Sequence, residues 1–94
     1  MTNQNNTMPD TSTMSLYHKA TCPFCLRVRW AMQRLGIDLE LRSTADPEHR
    51  SDLLAGGGQT MVPCLRIDHP EGQTQWMYES ADIIDYLKSL NDQN

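Results

Sequence analysis

Lys19-Ala20-Thr21-Cys22-Pro23-Phe24-Cys25 sets two cysteines three residues apart, where a strand-like run gives way to a helix-like one. Upstream, Ser15-Leu16-Tyr17-His18 is a short apolar and aromatic run that reads as a strand and stops in the loop Lys19-Ala20-Thr21. Downstream, Pro23 suits a first helical position, because its missing N–H is unneeded there and its φ is already helical, which makes Cys22 the expected N-cap. Phe24, Val28, Ala31, Met32 and Leu35 then recur at helical spacing, Arg27 and Arg34 fall elsewhere on the wheel, and Gly36 takes a C-cap position. An amphipathic helix is predicted.

Further on, Ile37, Leu39 and Leu41 alternate with Asp38, Glu40 and Arg42, the period of a strand with one buried face. Asp46-Pro47-Glu48 reads as an N-cap, a first-position proline and an acidic first turn of a helix that passes Leu53 and Leu54 and ends at Gly56-Gly57-Gly58. Leu65 and Ile67 alternate with Arg66 and Asp68, His69-Pro70-Glu71-Gly72 supplies a turn, and Thr74 to Tyr78 returns, so a hairpin is expected. Ser80 is read as the cap of a last helix with Ile83, Ile84, Leu87 and Leu90 on one stripe, Asp82 in its first turn and Lys88 near its end. The order βαβαββα implies an α/β fold: a right-handed crossover between the first two strands and a four-stranded mixed sheet with its three helices on both faces.

The chain has 94 residues, enough for one compact domain. Residues 1–13 are mostly Asn, Gln, Thr and Ser, too polar to offset their ordering entropy, so they are read as a disordered arm before a domain at 14–91 and a flexible C-terminus at 92–94. The arm lacks the basic start and apolar run of a secretory signal, and nothing approaches a membrane span, so a cytoplasmic protein without membrane contact is expected. A net charge of -4 argues against a nucleic-acid partner; the local cluster Arg27, Arg29, Arg34 reads as a solvated helix face.

Three cysteines are too few for a secreted disulfide scaffold, and in a reducing compartment thiols usually mean catalysis or metal. At a helix N-terminus Cys22 meets unpaired N–H groups and the positive dipole end, and Lys19 adds a cation, so the thiolate, the attacking species, is favoured. Cys25, one turn deeper, is placed to resolve a mixed disulfide on Cys22. Other readings are an inert pair, or half of a zinc site completed by Cys64 and one of His18, His49 or His69; structural zinc usually wants a second close pair of ligands, which this chain lacks. Cys64 is a small buried hydrophobe or a third redox thiol. Trp30 falls off the apolar stripe, at the surface or against the arm, and Trp76 reads as a strand packing residue.

From about Ser15 to Leu90 the chain resembles the glutaredoxin family and the related N-terminal, glutathione-binding domain of glutathione transferases. Lys19 to Cys25 is similar to the glutaredoxin Lys-x-x-Cys-Pro-Tyr-Cys site, with Phe24 for tyrosine; Gly58-Gln59-Thr60-Met61-Val62-Pro63 is similar to its Gly-Gln-x-Thr-Val-Pro loop, with Met61 for threonine; and Glu79-Ser80 looks like the transferase Glu-Ser pair. The resemblance implies a thioredoxin-like fold, a cis Pro63, catalytic Cys22 and Cys25, and glutathione bound by Lys19, Phe24, Gln59, Met61, Val62, Pro63, Glu79 and Ser80. In it Val62 offers its backbone to the cysteinyl part, Glu79 and Ser80 hold the γ-glutamyl end at a helix N-terminus, and Lys19 and Gln59 meet the glycyl carboxylate. It implies a monomeric thiol-disulfide oxidoreductase that acts on disulfide-bearing or glutathionylated proteins, with glutathione as co-substrate and no metal or organic cofactor. Its rivals are a glutathione-ligated iron–sulfur module, against which Pro23 counts, a transferase, for which the chain leaves no helical domain, and a thioredoxin-like reductant that ignores glutathione.

Overall fold

The computed structural model describes residues 13–92. Apart from Thr13 and Asp92, the expected N-terminal arm and flexible C-terminus lie outside the described residues. The elements are β1 (Met14–His18), α1 (Pro23–Leu35), β2 (Glu40–Ser43), α2 (Pro47–Gly57), β3 (Cys64–Asp68), β4 (Thr74–Met77) and α3 (Ser80–Asp92). They form a single four-stranded sheet in the order β2-β1-β3-β4, with β1 parallel to β2 and antiparallel to β3, and β4 antiparallel to β3. This is the expected thioredoxin-like arrangement.

Alternation along β1 divides the core into two layers. Leu16 points to one face, where it packs with Val28 of α1, Leu65 of β3, and Ile83 and Leu87 of α3. Tyr17 points to the other, against Leu53 of α2 and Cys64. On that second face the Tyr17 hydroxyl accepts from Arg42 at 2.9 Å and from Arg66 at 3.3 Å, so one phenol ties β2 and β3 to the central strand.

The punctuation behaves locally as its chemistry dictates. Gly36 closes α1 in the left-handed region at φ 69, and Asp46 accepts a capping bond from the Glu48 N–H at 2.9 Å. Gly56 and Gly57 serve a different purpose: a β-carbon at either would run into the Trp76 ring or the Tyr78 hydroxyl, so their bare backbone lets both aromatic side chains seat against the end of α2.

Two sequence expectations are corrected. The second strand begins at Glu40 rather than Ile37, and its alternation does not keep one face buried: Ile37 and Leu39 enter the core before the strand starts, whereas Leu41 is exposed. β2 is an edge strand, and Leu41 lies beyond the cover that α1 gives the sheet. The cap of α3 is Glu79, whose carbonyl accepts the Ile83 N–H at 2.9 Å, which puts Ser80 inside the first turn.

Leu16 is fully buried and Leu54 is exposed. Leu16→Ala is therefore expected to cost about 2 to 5 kcal/mol and Leu54→Ala less than about 0.5 kcal/mol, measured as the shift in the urea unfolding midpoint followed by circular dichroism.

Candidate functional site

The parallel β1–β2 pair and the α1 crossover put the loop 19–21 and the first turn of α1 at the C-terminal end of the central strand β1. Cys22 is the residue before Pro23, with extended backbone at φ -84 and ψ 121, and its carbonyl accepts the first helical bond from the Leu26 N–H at 3.0 Å. Its N–H donates to the Lys19 carbonyl at 3.1 Å, a turn that brings the lysine backbone beside the cysteines. Cys25 is buried on the inner face of α1, and its sulfur accepts the Lys19 N–H at 3.5 Å.

The two thiols occupy opposite electrostatic surroundings. Burial works against a Cys22 thiolate, and no bond of capping length closes on its sulfur, yet the Cys25 N–H and thiol, the Phe24 N–H and the Lys19 charge together hold its pKa below the ordinary value. For Cys25 burial wins: despite the Lys19 N–H it is pushed up to about 11, with Cys22 as a further raising influence. The outer thiol is poised to ionise first; the inner one holds its proton.

A cleft of about 190 Å³ lies beside this helix end. It is lined by Phe24, by Met61, Val62 and Pro63, and by Tyr78, Glu79 and Ser80 at the head of α3, so three segments distant in sequence converge there. The Val62–Pro63 peptide is cis. Lys19 and Gln59 do not line the cleft; Gln59 instead offers its carbonyl to the Tyr78 hydroxyl at 3.1 Å. Sequence reasoning did not single out Tyr78 as a site residue, although its place directly before Glu79-Ser80 was the available signal.

Cys64 follows Pro63 in the chain, but its side chain lies in the Tyr17 and Leu53 layer, across the sheet from α1. Burial pushes its thiol up to about 11. Among the described residues no three His, Cys, Asp or Glu side chains gather as ligands for a metal ion. His18 is buried with its Nδ1 unpartnered among them, and burial together with the Arg29 charge lowers its pKa. No helix among the described residues is long and apolar enough to cross a membrane.

A dithiol at the head of the first helix of a βαβαββα sheet, flanked by a cis-proline loop, defines a thioredoxin-like domain. The chain matches the N-terminal domain of glutathione S-transferases over residues 16–94 and belongs to that family. It is also 39% identical to a glutaredoxin of Pseudomonas aeruginosa over 53 residues, which is 55% of this chain and 63% of the relative. Among solved structures it resembles a maleylacetoacetate isomerase from Anaeromyxobacter dehalogenans holding dicarboxyethyl glutathione and citrate, at 23% identity and TM-score 0.64, covering 86% of this chain and 38% of the isomerase. It also resembles a glutathione transferase of Bombyx mori at 26% identity and TM-score 0.66, covering 87% and 37% of the two chains. The chain thus spans less than two thirds of each of these relatives.

The contrast between the thiols has a direct readout. At neutral pH iodoacetamide is expected to modify Cys22 ahead of Cys25 and Cys64, with a rate that climbs to a midpoint below that of a free cysteine; Lys19→Ala moves the midpoint upward, because a stabilising cation is lost. In Cys22→Ser, Cys64 stays slow until the pH nears 11, while Cys25, still buried but without the raising influence of Cys22, reacts at a lower pH than in the wild type, as mass spectrometry of alkylated peptides would record.

Proposed function

We propose that this domain is a glutathione-dependent thiol-disulfide oxidoreductase acting on protein disulfides and on mixed disulfides with glutathione. The observation that carries the reading is the opposite tuning of Cys22 and Cys25, an accessible thiol favoured as thiolate and a buried one held protonated within one helical turn. The glutaredoxin likeness over 53 residues and the family's glutathione-binding domain support it.

In the proposed mechanism the Cys22 thiolate attacks the glutathione sulfur of a glutathionylated protein. A Cys22–glutathione disulfide forms, the protein sulfur leaves with the electron pair and takes a proton from solvent, and a second glutathione thiolate then attacks the bound glutathione to give oxidised glutathione and free Cys22. With a protein disulfide, Cys22 forms the mixed disulfide and Cys25, on losing its proton, attacks the Cys22 sulfur. The protein leaves as a dithiol, and two glutathione molecules reduce the Cys22–Cys25 bond. Because the Cys25 proton is tightly held, the first route is expected to dominate when glutathione is abundant.

Glutathione is assigned to the cleft beside Phe24. Val62 would meet its cysteinyl backbone, Met61 and Pro63 would wall that strand of contact, and Glu79 with Ser80 would hold the γ-glutamyl end, where the first N–H groups of α3 favour a carboxylate. Lys19 and Gln59 are assigned the glycyl carboxylate from outside the cleft. No metal or organic cofactor is required by this chemistry. The glutathione transferase neighbour at 26% identity marks the main rival, conjugation of glutathione to an electrophile.

A coupled assay with a glutathione mixed disulfide, glutathione, glutathione reductase and NADPH tests the reading. The wild type turns over, Cys22→Ser falls to background, a loss of at least about a hundredfold, and Cys25→Ser retains most of the activity. An inactive wild type that instead conjugates glutathione to an electrophile would overturn the oxidoreductase reading.

A further inference from the structure

Charge on this chain is segregated. The stretch from Lys19 to Arg34 holds Lys19, Arg27, Arg29 and Arg34 and no Asp or Glu, so half of the eight cations fall there and only four remain against all twelve carboxylates elsewhere. The three arginines stand on α1.

Solvated arginines are ordinary on a helix; the apolar surface set among these is not. Trp30 is 55% exposed and Leu41 of β2 43% exposed. Leu26, Arg29, Trp30 and Gln33 follow i, i+3, i+4, i+7 spacing and, with Leu41, line a groove of about 300 Å³, to which Asp38 adds a carboxylate. Arg34 follows Trp30 by four residues along the helix, and Arg27, three residues before it, lays its guanidinium over the Phe24 ring at 5.8 Å. Trp30 lies about 12 Å along the helix axis from Cys22, a span covered by about four residues of extended chain. A substrate segment beginning at a sulfur on Cys22 therefore reaches the groove.

We propose that this face of α1 receives the polypeptide flanking the target disulfide, and that the favoured substrates carry acidic residues interspersed with apolar ones there. The proposal rests on the oxidoreductase reading above. A short acidic segment stays within the basic face. A long polyanion such as nucleic acid would meet the carboxylate-rich remainder of the surface as soon as it left α1.

The test compares three substrates in the coupled glutathione assay with the full chain: a mixed disulfide of glutathione with a small neutral thiol, and two glutathionylated peptides of equal length whose flanks alternate Leu with Asp or Leu with Lys. The acidic peptide is expected to exceed the basic one in kcat/KM by about tenfold at low ionic strength, and the gap to close at high salt. Arg34→Glu narrows the gap and Trp30→Ala raises KM for the acidic peptide, while both variants keep wild-type turnover of the small substrate, which also reports that they are folded. Turnover of the small substrate with no preference between peptides overturns this proposal alone; no turnover of any substrate overturns the oxidoreductase reading beneath it. Inhibition of peptide turnover by an oligonucleotide as strong as by the acidic peptide itself, or a dimer in sedimentation that Trp30→Ala dissociates, would assign the face to a polyanion or to a second copy instead. A gain of peptide preference on removing residues 1–12 would assign it to that segment.

Discussion

All five residues of β1 are buried, and they are buried on two sides at once. Leu16 commits one face of the sheet to α1 and α3, and Tyr17 commits the other to α2, so the strand cannot slip by one residue without exchanging the two layers. The end of β1 is fixed as a result, and with it the backbone of Lys19, whose N–H reaches the Cys25 sulfur and whose carbonyl receives the Cys22 N–H. Site geometry here is inherited from the packing of a strand that carries no reactive group of its own.

From that placement the chemistry of the dithiol follows with little further assistance. Cys22 and Cys25 share a helix, a turn and a neighbour in Lys19, and differ chiefly in depth. At the rim, hydrogen-bond donors and a cation outweigh the cost of burying charge; one turn inward the same cost prevails. A difference of depth along one helix is enough to divide the roles of attack and resolution between two identical side chains.

Much of this was legible in the sequence because it is written in short-range chemistry. Pro23, Gly36, Asp46-Pro47 and Gly58 mark helix ends by constraints that act within a few residues, irrespective of tertiary context. The reading failed where burial is decided at long range. The alternation from Ile37 to Leu41 looked like one buried strand face, but the edge position of β2 leaves Leu41 uncovered, and only the neighbouring elements determine that. Ser80 looked like a cap because serine favours that role, yet the hydrogen-bond ladder starts at Glu79. Tyr17, Arg42 and Arg66 are brought together from three strands, and no local pattern announces such a cluster. The cleft residues Phe24, Met61 to Pro63 and Glu79-Ser80 were legible as motifs, but their convergence and the tie from Tyr78 to Gln59 depend on the completed sheet.

The chain's two tryptophans occupy contrasting surroundings: Trp76 sits under the Arg66 guanidinium, 5.7 Å from the Tyr17 ring and against the bare backbone of Gly56, whereas Trp30 stands in solvent on α1. Their emission therefore divides by location. A quencher in solution addresses Trp30 first, and a change at Trp76 reports the seam between α2 and the sheet. The molecule thus carries two optical probes of its own, one for what touches its surface and one for whether its interior has opened, and replacing either tryptophan with phenylalanine separates the signals.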